Sequence, residues 1–361
     1  MTEAEPSELP EPSQLPEPSQ LLSATIEAID YPDSDAAREA TQRLAELGRP
    51  AGSLGRLEEL ASWAAGVQGR CPPTAFGRSR LVLFAGDHGI ATDQGIAAGP
   101  AGSTADQLAA LGAGHGILNS FAEAAGVGVR LVDIAVDADT EPAGSSWKVR
   151  RGSGRIDQRD ALSTDEVQAA INAGISIADH EIEAGAELLI VADLGAGNRI
   201  AAATLISVLT DTEPIKVAGQ PGPLDDARWI GDCAAIRDAR RRAWPHRGEL
   251  AELLAVAGGA DLAAMTGFML QAARRRTPVL LDGLVVTAAA LVAQLASPRV
   301  VRWLQAAHLS PEPAHEIALR RLGLVPIVEL DIWLGQGSGA LVVLPLLRSA
   351  TQLLSDAVAT C

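Results

Sequence analysis

The feature that most constrains the fold is an alternation of short apolar segments with longer Ala-rich segments. The short segments are rich in Val, Leu and Ile, and most of them end in Gly or Asp. They are "RLVLFAGDHG" (80–89), "VRLVDIAVD" (129–137), "ELLIVADLGAGN" (187–198), "PIKVAGQPG" (214–222), "PVLLDGL" (278–284) and "VPIVEL" (325–330). Strands that are apolar on both faces are typical of a parallel sheet covered by helices. We therefore predict an α/β, doubly wound, mostly parallel architecture.

The polar ends of these predicted strands indicate where a ligand would bind. In open parallel sheets, ligands bind beyond the carboxyl ends of the strands. Gly and Asp residues collect at those ends in this chain: Asp87, Asp193, Gly195, Gly219 and Asp282. We therefore expect the functional site at this edge of the sheet.

The segment "DLGAGN" (193–198) contains a strand end, a glycine-rich turn and the start of a helix. The amides of Gly195, Gly197 and Asn198 can form a phosphate site at that helix start, or the glycines can simply make a tight turn. A dinucleotide fingerprint needs a third glycine at the position of Ile200, which argues against NAD binding.

Three further positions have both a functional and a structural interpretation. Asp87 and His88 at a strand end are either an acid–base couple or a capping carboxylate beside a buried histidine. Asp282 leads an apolar helix, where a carboxylate is favourable for the helix dipole in any case. The sequence does not separate these interpretations.

A metal site is disfavoured. His308, Glu312 and His315 invite a zinc hypothesis, but Pro311 and Pro313 interrupt the segment and no HExxH helix is present. We predict neither a metal nor another cofactor.

Charge and cysteine content narrow the class of protein. The formal charge of −16 argues against nucleic acid or an anionic membrane surface as the main partner. The three cysteines are too few and too scattered for a disulfide framework, which favours the cytoplasm. The apolar stretch 283–296 is too short to cross a bilayer, and the N-terminus lacks a signal-peptide pattern.

The first residues differ in composition from the rest of the chain. "LPEPSQ" is repeated at 9–14 and 15–20, and a segment of Pro, acid and Ser cannot offset chain entropy. We predict a disordered tail over 1–30, either solvated or docking a partner. Residues 31–75 then form the N-terminal helices of a small domain, 76–300 a large nucleotide-binding domain, and 301–361 a segment completing the active site and the small domain.

Several motifs together resemble one family, the nicotinate-nucleotide–dimethylbenzimidazole phosphoribosyltransferases. In order, they are "RPAGSLGRLEELA", "FAGDHGIA", "KVRRGSGRI", "ADLGAGN", "GGADLAAMTGF", "PVLLDGLVVTAAALVA", "HLSPEPAHEIALRRLGLVPIVEL" and "LGQGSGA". The resemblance covers about residues 36–350. It implies a homodimer with a large Rossmann-like domain and a small helical domain from both chain ends. The implied reaction moves phosphoribose from nicotinate mononucleotide to a benzimidazole and releases nicotinate.

The resemblance also implies roles for individual residues. Asp193 stands at the position of the family's carboxylate, and Gly195, Gly197 and Asn198 match its phosphate cradle. Arg199 replaces a hydroxyl residue and can meet a phosphate as a cation. Asp282 matches the aspartate of the family's "DG" motif, and Ser53 lies in the preserved "GSLGRLE" segment.

Other positions depart from the family pattern. Gln336, between Gly335 and Gly337, stands where the family has a general-base glutamate, and a carboxamide can orient a ring by hydrogen bonds but cannot take its proton. Asp232 falls where the family has a lysine. The loop 219–226 carries extra prolines, and "AAGP" (97–100) replaces the family's "SAYP".

We therefore predict phosphoribosyl transfer to 5,6-dimethylbenzimidazole or a related base, in cobalamin lower-ligand assembly. Asp193 would stabilise the positive charge that develops on the sugar, and Gln336 would position the acceptor. The alternative is a non-catalytic binding subunit, alone or paired with an active relative. The expected ligands of the transferase are a small nucleotide and an aromatic base, whereas the binding subunit would hold a nucleotide or a cobamide precursor.

Overall fold

Five parallel strands form the main sheet of the protein. A computed structural model describes residues 18–47, 49–50, 52–92, 103–140, 146–219 and 226–359. The strands are β1 (Ser79–Gly86), β2 (Gly128–Ala135), β3 (Leu188–Leu194), β4 (Val279–Leu281) and β5 (Leu304–Ala306). Their order across the sheet is β2-β1-β3-β4-β5. From β1 the chain first adds β2 on one side, and then adds β3, β4 and β5 on the other side, so the strand order switches between β1 and β3. The predicted α/β, doubly wound, parallel fold is confirmed.

Helices occupy the intervals between the strands. They are α1 (Pro18–Glu27), α2 (Ser34–Glu46), α3 (Arg56–Gln68), α4 (Thr104–Gly112), α5 (Ile117–Ala125), α6 (Thr164–Glu183), α7 (Asn198–Leu209), α8 (Pro214–Val217), α9 (Asp226–Ala243), α10 (Leu250–Ala257), α11 (Ala260–Arg274), α12 (Gly283–Ala296), α13 (Pro313–Leu322) and α14 (Ser338–Ala359). Short 3₁₀ turns lie at Gly89–Thr92, Trp244–His246 and Pro298–Trp303.

Helices α6 and α11 pack with their backbones in close approach. A Cβ atom on Gly174 of α6 would lie 1.9 Å from the carbonyl oxygen of Ala264, and one on Gly267 of α11 would lie 2.2 Å from that of Ile171. These two positions therefore require glycine, because any side chain would push the helices apart. Small residues thus build the core of a chain that has few aromatic side chains.

Helices from both chain ends pack together, as predicted. Helices α2 and α3 lie against each other, and the C-terminal α14 packs on both of them. Their apolar contact is a separate cluster of Ala40, Leu44, Ala61, Ala65 and Leu354. A second sheet, of strands β6 (His308–Leu309) and β7 (Val328–Glu329), lies beside this C-terminal part of the chain.

Helix α14 is long and apolar, yet it is a core helix. Its window Ser338–Ser355 is long and apolar enough to cross a membrane, but 56% of that window is buried inside the protein. Arg348 in this helix donates to the carbonyl oxygens of Phe76 and Ala125 at 3.2 and 2.7 Å. These contacts tie α14 to the segment just before β1 and to the end of α5.

Two predicted strands are wrong in part. Residues 214–217 are the helical turn α8, because Pro214 at the first helical position is already set to the helical φ. The loop that follows, 220–225, lies outside the described residues. Residues 328–329 do form a strand, but it pairs with β6 and not with the main sheet. The fifth strand of the main sheet, β5, was not predicted, since it has only three residues.

The predicted disordered tail extends too far along the chain. Residues 1–17 lie outside the described ranges, but α1 starts at Pro18 and packs on α6 and α11. Ile29 is fully buried, and the Thr25 hydroxyl donates to Gln271 Oε1 at 3.3 Å. The prediction is therefore wrong for residues 18–30, where leucine and isoleucine side chains anchor the segment to the core.

Candidate active site

A cavity of about 570 Å³ opens at the carboxyl ends of β3, β4 and β5, the edge of the sheet where the sequence predicts the site. This volume is in the usual range for small-molecule sites. We call this cavity the nucleotide cleft, after the ligand that the sequence analysis predicts at this edge of the sheet. Its walls come from five places: the end of β3 with the loop after it, the start of α12, the segment around β6, the loop 331–336, and Arg228 in the first turn of α9.

The loop after β3 gives the cleft an uncapped helix start. A Cβ atom on Gly195 would lie 1.9 Å from the carbonyl oxygen of Gly86, so only glycine lets the loop cross so close to β1. Gly197 has a φ of 79° and supplies no side-chain cap to α7, which begins at Asn198. Gly195, Gly197 and Asn198 all line the cleft. Uncapped amides at a helix start are what an anion-binding site requires.

Asp193 lies at the end of β3, on the wall of the cleft. Asn198 Nδ2 donates to its Oδ2 at 2.8 Å, which fixes the orientation of the carboxyl group. Loss of solvation, and then the charges of Asp282, Asp261 and Glu312, raise the pKa of Asp193 well above its ordinary value. The carboxyl therefore keeps its proton to unusually high pH, and a positive charge placed beside it would favour ionisation.

Arg199 is held at the cleft by a buried carboxylate. Its Nε lies 2.9 Å from Glu312 Oε1, and its Nη2 donates to the carbonyl oxygen of Gly219 at 3.2 Å. The Ser310 hydroxyl donates to the other oxygen of Glu312 at 2.8 Å. Arg199 therefore reaches the cleft as an oriented cation, although Glu312 offsets its charge.

The three residues that suggested zinc belong to this network. Burial, and the neighbouring His308, lower the pKa of His315 to about 3, so His315 is neutral at physiological pH. Its Nδ1 accepts from the Ser310 amide at 3.1 Å, and Thr287 lies 3.2 Å from its Nε2. Across the described ranges, no group of three His, Cys, Asp or Glu residues is placed to hold a metal ion.

The loop Gly335–Gly337 holds Gln336 in a strained conformation. All three residues have positive φ, of 71°, 58° and 80°. For Gln336 this conformation costs on the order of 1 kcal/mol. A Cβ atom on Gly337 would lie 2.3 Å from Leu81 Cδ1, which again requires glycine.

Asp282 lies beneath this loop and fixes it. The carboxylate is fully buried, and its two oxygens accept from the amides of Gly337 at 2.8 Å and Ala340 at 2.9 Å. Asp282 thus satisfies the first turn of α14, 55 residues away in the chain. This geometry gives it a positioning role in support of Gln336, whereas the prediction of substrate contact stays untested.

A second cavity, of about 720 Å³, lies at the ends of β1, β2 and β3 and shares Leu194 and Gly195 with the nucleotide cleft. We call it the acceptor cavity, after the aromatic base that the sequence analysis predicts as the second ligand. Gln107 of α4 lines it, and Gln336 Nε2 donates to Gln107 Oε1 at 3.4 Å. Gln336 itself lines the nucleotide cleft. The strained glutamine therefore stands where the two cavities meet.

Asp87 and His88 line the acceptor cavity, and both have partners within the protein. Asp87 accepts from the amides of Ala196 at 3.0 Å and Asp137 at 2.8 Å, which ties together the loops after three strands. His88 Nε2 lies 3.0 Å from both oxygens of Asp261. Burial alone would lower the pKa of His88, but the charge and hydrogen bond of Asp261 outweigh it and raise that pKa.

The structure brings together most of the residues predicted from the sequence. Seven of them line the nucleotide cleft: Asp193, Gly195, Gly197, Asn198, Arg199, Gly335 and Gln336. Ser53 lies elsewhere, where Arg49 Nη1 donates to its hydroxyl at 3.1 Å. Residues 97–100, which depart from the family pattern, lie outside the described residues.

Other cleft residues were not predicted as substrate contacts: Arg228, Ser310, Asp331 and Trp333. They come from α9 and from two C-terminal loops, and no local motif marks Arg228, Asp331 or Trp333. For Ser310 a signal was present, because the "HLSPEPAH" segment was singled out for its histidines and glutamate. Asp331 has a φ of 53°, which only the structure reveals.

Comparisons with known proteins show which proteins this chain resembles. A family model described as phosphoribosyltransferase matches residues 29–360. A nicotinate-nucleotide–dimethylbenzimidazole phosphoribosyltransferase of Mycobacterium tuberculosis is 51% identical over 91% of this chain and 91% of its own length. One of Mycobacterium ulcerans is 50% identical over 91% and 92%. A crystal structure of the Thermus thermophilus enzyme of that name covers 90% of this chain and 96% of its own, with 35% identity and a TM-score of 0.84.

Proposed function

Because the chain belongs to the nicotinate-nucleotide–dimethylbenzimidazole phosphoribosyltransferase family, we propose that it moves phosphoribose from nicotinate mononucleotide to 5,6-dimethylbenzimidazole or a related base. The products are α-ribazole phosphate and nicotinate, and the reaction belongs to cobalamin lower-ligand assembly. The observation that carries this proposal is the junction of two cavities at Gly195 and Gln336. A two-substrate transfer needs a donor and an acceptor held side by side.

The nucleotide cleft suits the donor. The uncapped amides at the start of α7 and the oriented cation of Arg199 meet the phosphate. The cleft also has an apolar side that includes Ile332 and Trp333, against which the pyridine ring can lie. The ribose then lies over Asp193.

Asp193 acts on the charge of the sugar. Breaking the bond between C1′ and nicotinate leaves positive charge on the ribose, and a nearby carboxylate stabilises that charge. The donor itself carries a pyridinium, which favours the ionised form of Asp193 against the effects that raise its pKa. The substrate thus helps to produce the charged state that the reaction needs.

The acceptor ring approaches from the other cavity, and its nitrogen lone pair forms the new bond to C1′. Gln336 and Gln107 can orient the ring by hydrogen bonds, but a carboxamide cannot remove its N–H proton. Ribosylation makes the ring cationic and therefore much more acidic. The proton accordingly leaves to water after the new C–N bond has formed. None of these reaction steps exchanges electrons with a redox group.

We further propose a homodimer in the cytoplasm. Helices α5 and α14 lie side by side and carry exposed apolar side chains: Ile117, Phe121, Val342 and Leu346. An exposed apolar patch of this kind is typical of a subunit interface. The scattered cysteines, with Cys71 and Cys233 free, suit a reducing compartment.

The direct test follows nicotinate release and α-ribazole phosphate formation by chromatography and mass spectrometry. The expected result is stoichiometric formation of both products only when nicotinate mononucleotide and 5,6-dimethylbenzimidazole are both present. The matched control omits the base, which separates transfer from simple hydrolysis. Absence of α-ribazole phosphate under these conditions would contradict the proposal.

A further inference from the structure

The ionisable groups of the nucleotide cleft leave a phosphate short of positive charge. Three carboxyl groups line it, those of Asp193, Glu312 and Asp331. Arg199 is already paired with Glu312. A phosphate monoester carries close to two negative charges near neutral pH. Among the described residues, the second cationic side chain on the cleft wall is that of Arg228.

Arg228 stands at a position that is unfavourable for the helix itself. It lies in the first turn of α9, which begins at Asp226. A cation near a helix N-terminus opposes the helix dipole, whereas the last turn of α9 carries three arginines where the dipole favours them. An anion bound beside the first turn would reverse this penalty. The helix dipole therefore does not explain an arginine at this position, whereas an anion bound in the cleft would be attracted to it.

Asp232 lies one helical turn after Arg228 and is buried. Side chains at positions i and i+4 of a helix are neighbours on one face, and opposite charges at this spacing attract. The family resemblance places a lysine at Asp232. Position 232 thus has a carboxyl group where the family has a cation, and the cation of this chain, Arg228, lies one helical turn earlier. Asp232 is on the same helix face and can orient Arg228.

We propose that Arg228 binds the substrate's phosphate together with Arg199, and that Asp232 is a positioning residue for Arg228. This inference rests on the proposed function and deepens it. On this inference the phosphate-binding cation is not lost with the exchange of lysine for Asp232. It lies one helical turn earlier, at Arg228.

The test compares nicotinate mononucleotide with nicotinate riboside, which lacks the phosphate, at wild type and Arg228→Gln. We expect Arg228→Gln to lower kcat/KM for the mononucleotide by about 10- to 100-fold, the usual effect of losing a charge-assisted hydrogen bond. The riboside should react equally well with both proteins. Arg237→Gln is the matched control, because Arg237 lies on the same helix, is exposed and pairs with Asp238 at 2.9 Å. It should change neither value.

A charge swap tests the positioning role. Arg228→Gln combined with Asp232→Lys returns the cation to the position where the family has it, and should recover most of the lost kcat/KM. Asp232→Asn alone should lower kcat/KM for the mononucleotide several-fold without changing kcat/KM for the riboside. Equal losses for both substrates, or no loss with the mononucleotide, would overturn the proposal. Thermal unfolding of each variant identifies changes that come from misfolding.

Calorimetric titration separates this inference from the proposed function. If wild type binds nicotinate mononucleotide but does not turn it over, the same 10- to 100-fold weakening by Arg228→Gln is expected in Kd. In that case the transferase proposal fails and the phosphate site stands. If wild type does not bind nicotinate mononucleotide, both are overturned.

Discussion

Two glycine-rich loops border the nucleotide cleft, and they do opposite things with the helix that follows each. The loop 195–197 leads into α7, whose first amides have no side-chain cap. The loop 335–337 leads into α14, where the buried carboxylate of Asp282 accepts two of the first amides. The amides after the first loop are therefore available to an anion. In the second loop the Asp282 carboxyl group already accepts from the amides at the helix start and holds the loop in place.

This comparison shows that glycine spacing alone does not identify a phosphate site. Both loops need glycine for close contacts, since a Cβ atom on Gly195 or Gly337 would lie within 2.3 Å of a neighbouring atom. What separates them is whether an internal carboxylate occupies the helix start. The side chain between the glycines of the second loop, Gln336, is thereby held at the wall of the nucleotide cleft.

The largest expected effect on stability and activity comes from removing the Asp282 carboxyl group that supports the loop 335–337. Asp282→Ala leaves two buried amides without acceptors, and we expect a loss of about 2 to 5 kcal/mol in the free energy of unfolding. Transfer activity should also fall below detection, because Gln336 loses its fixed position. Denaturant unfolding measures the first effect and nicotinate release the second.

A matched aspartate provides the control for this change. Asp139 is highly exposed and lies 3.4 Å from Arg151. Asp139→Ala should change the stability by less than about 0.5 kcal/mol. If Asp282→Ala were equally harmless, the buried carboxylate would not be the support of the loop.

The next effect comes from Asp193, at the end of β3 just before the loop 195–197. Asp193→Asn keeps the shape and the contact with Asn198 but removes the charge. We expect kcat to fall by about 10²- to 10³-fold, as for the loss of other preorganised electrostatic groups. The measurement is the initial rate of nicotinate release at saturating substrates. A loss of less than threefold would remove Asp193 from the mechanism.

A smaller effect is the pH dependence that Asp193 brings. Its raised pKa means that the reactive, ionised form is lost on the acid side at a higher pH than for an ordinary aspartate. For stability the sign is reversed: a carboxyl whose pKa is raised by folding stabilises the fold at low pH, and this contribution is lost as pH rises through the raised pKa.

Two measurements check this pH dependence. The acid limb of the kcat/KM profile should disappear in Asp193→Asn. At neutral pH the same variant should unfold at a slightly higher temperature than wild type, with the difference vanishing below about pH 4. An unchanged acid limb would assign the titration to another group.

Much of the fold could be predicted from the sequence because its main strands are long and apolar on both faces. β1 and β3 are nearly fully buried, Asp87 directly follows β1, and Asp193 is the last residue but one of β3. The errors fall on short elements. Residues 214–217 and the three-residue β5 are too short for a hydrophobic period to distinguish strand from helix.

The site was predictable where one loop carries it and not where distant segments meet. Asp193, Gly195 and Asn198 are local, whereas Arg228 and Ser310 reach the cleft through tertiary packing. Asp282 was interpreted as a cap for its own helix or as a substrate contact. Its carboxylate instead holds α14, 55 residues later, and no local pattern encodes that pairing.

The most direct test of the account is the acceptor-dependent release of nicotinate by wild type and Gln336→Glu, measured side by side at equal enzyme concentration. The account predicts that wild type forms α-ribazole phosphate, since positioning and charge stabilisation remain. Gln336→Glu should then be faster by about tenfold or more, because a carboxylate at this position can take the ring proton while the C–N bond forms, and a general base typically contributes about 10²- to 10⁴-fold. Product from Gln336→Glu and none from wild type would contradict the account, and the native protein would then be a binding subunit on an intact transferase scaffold.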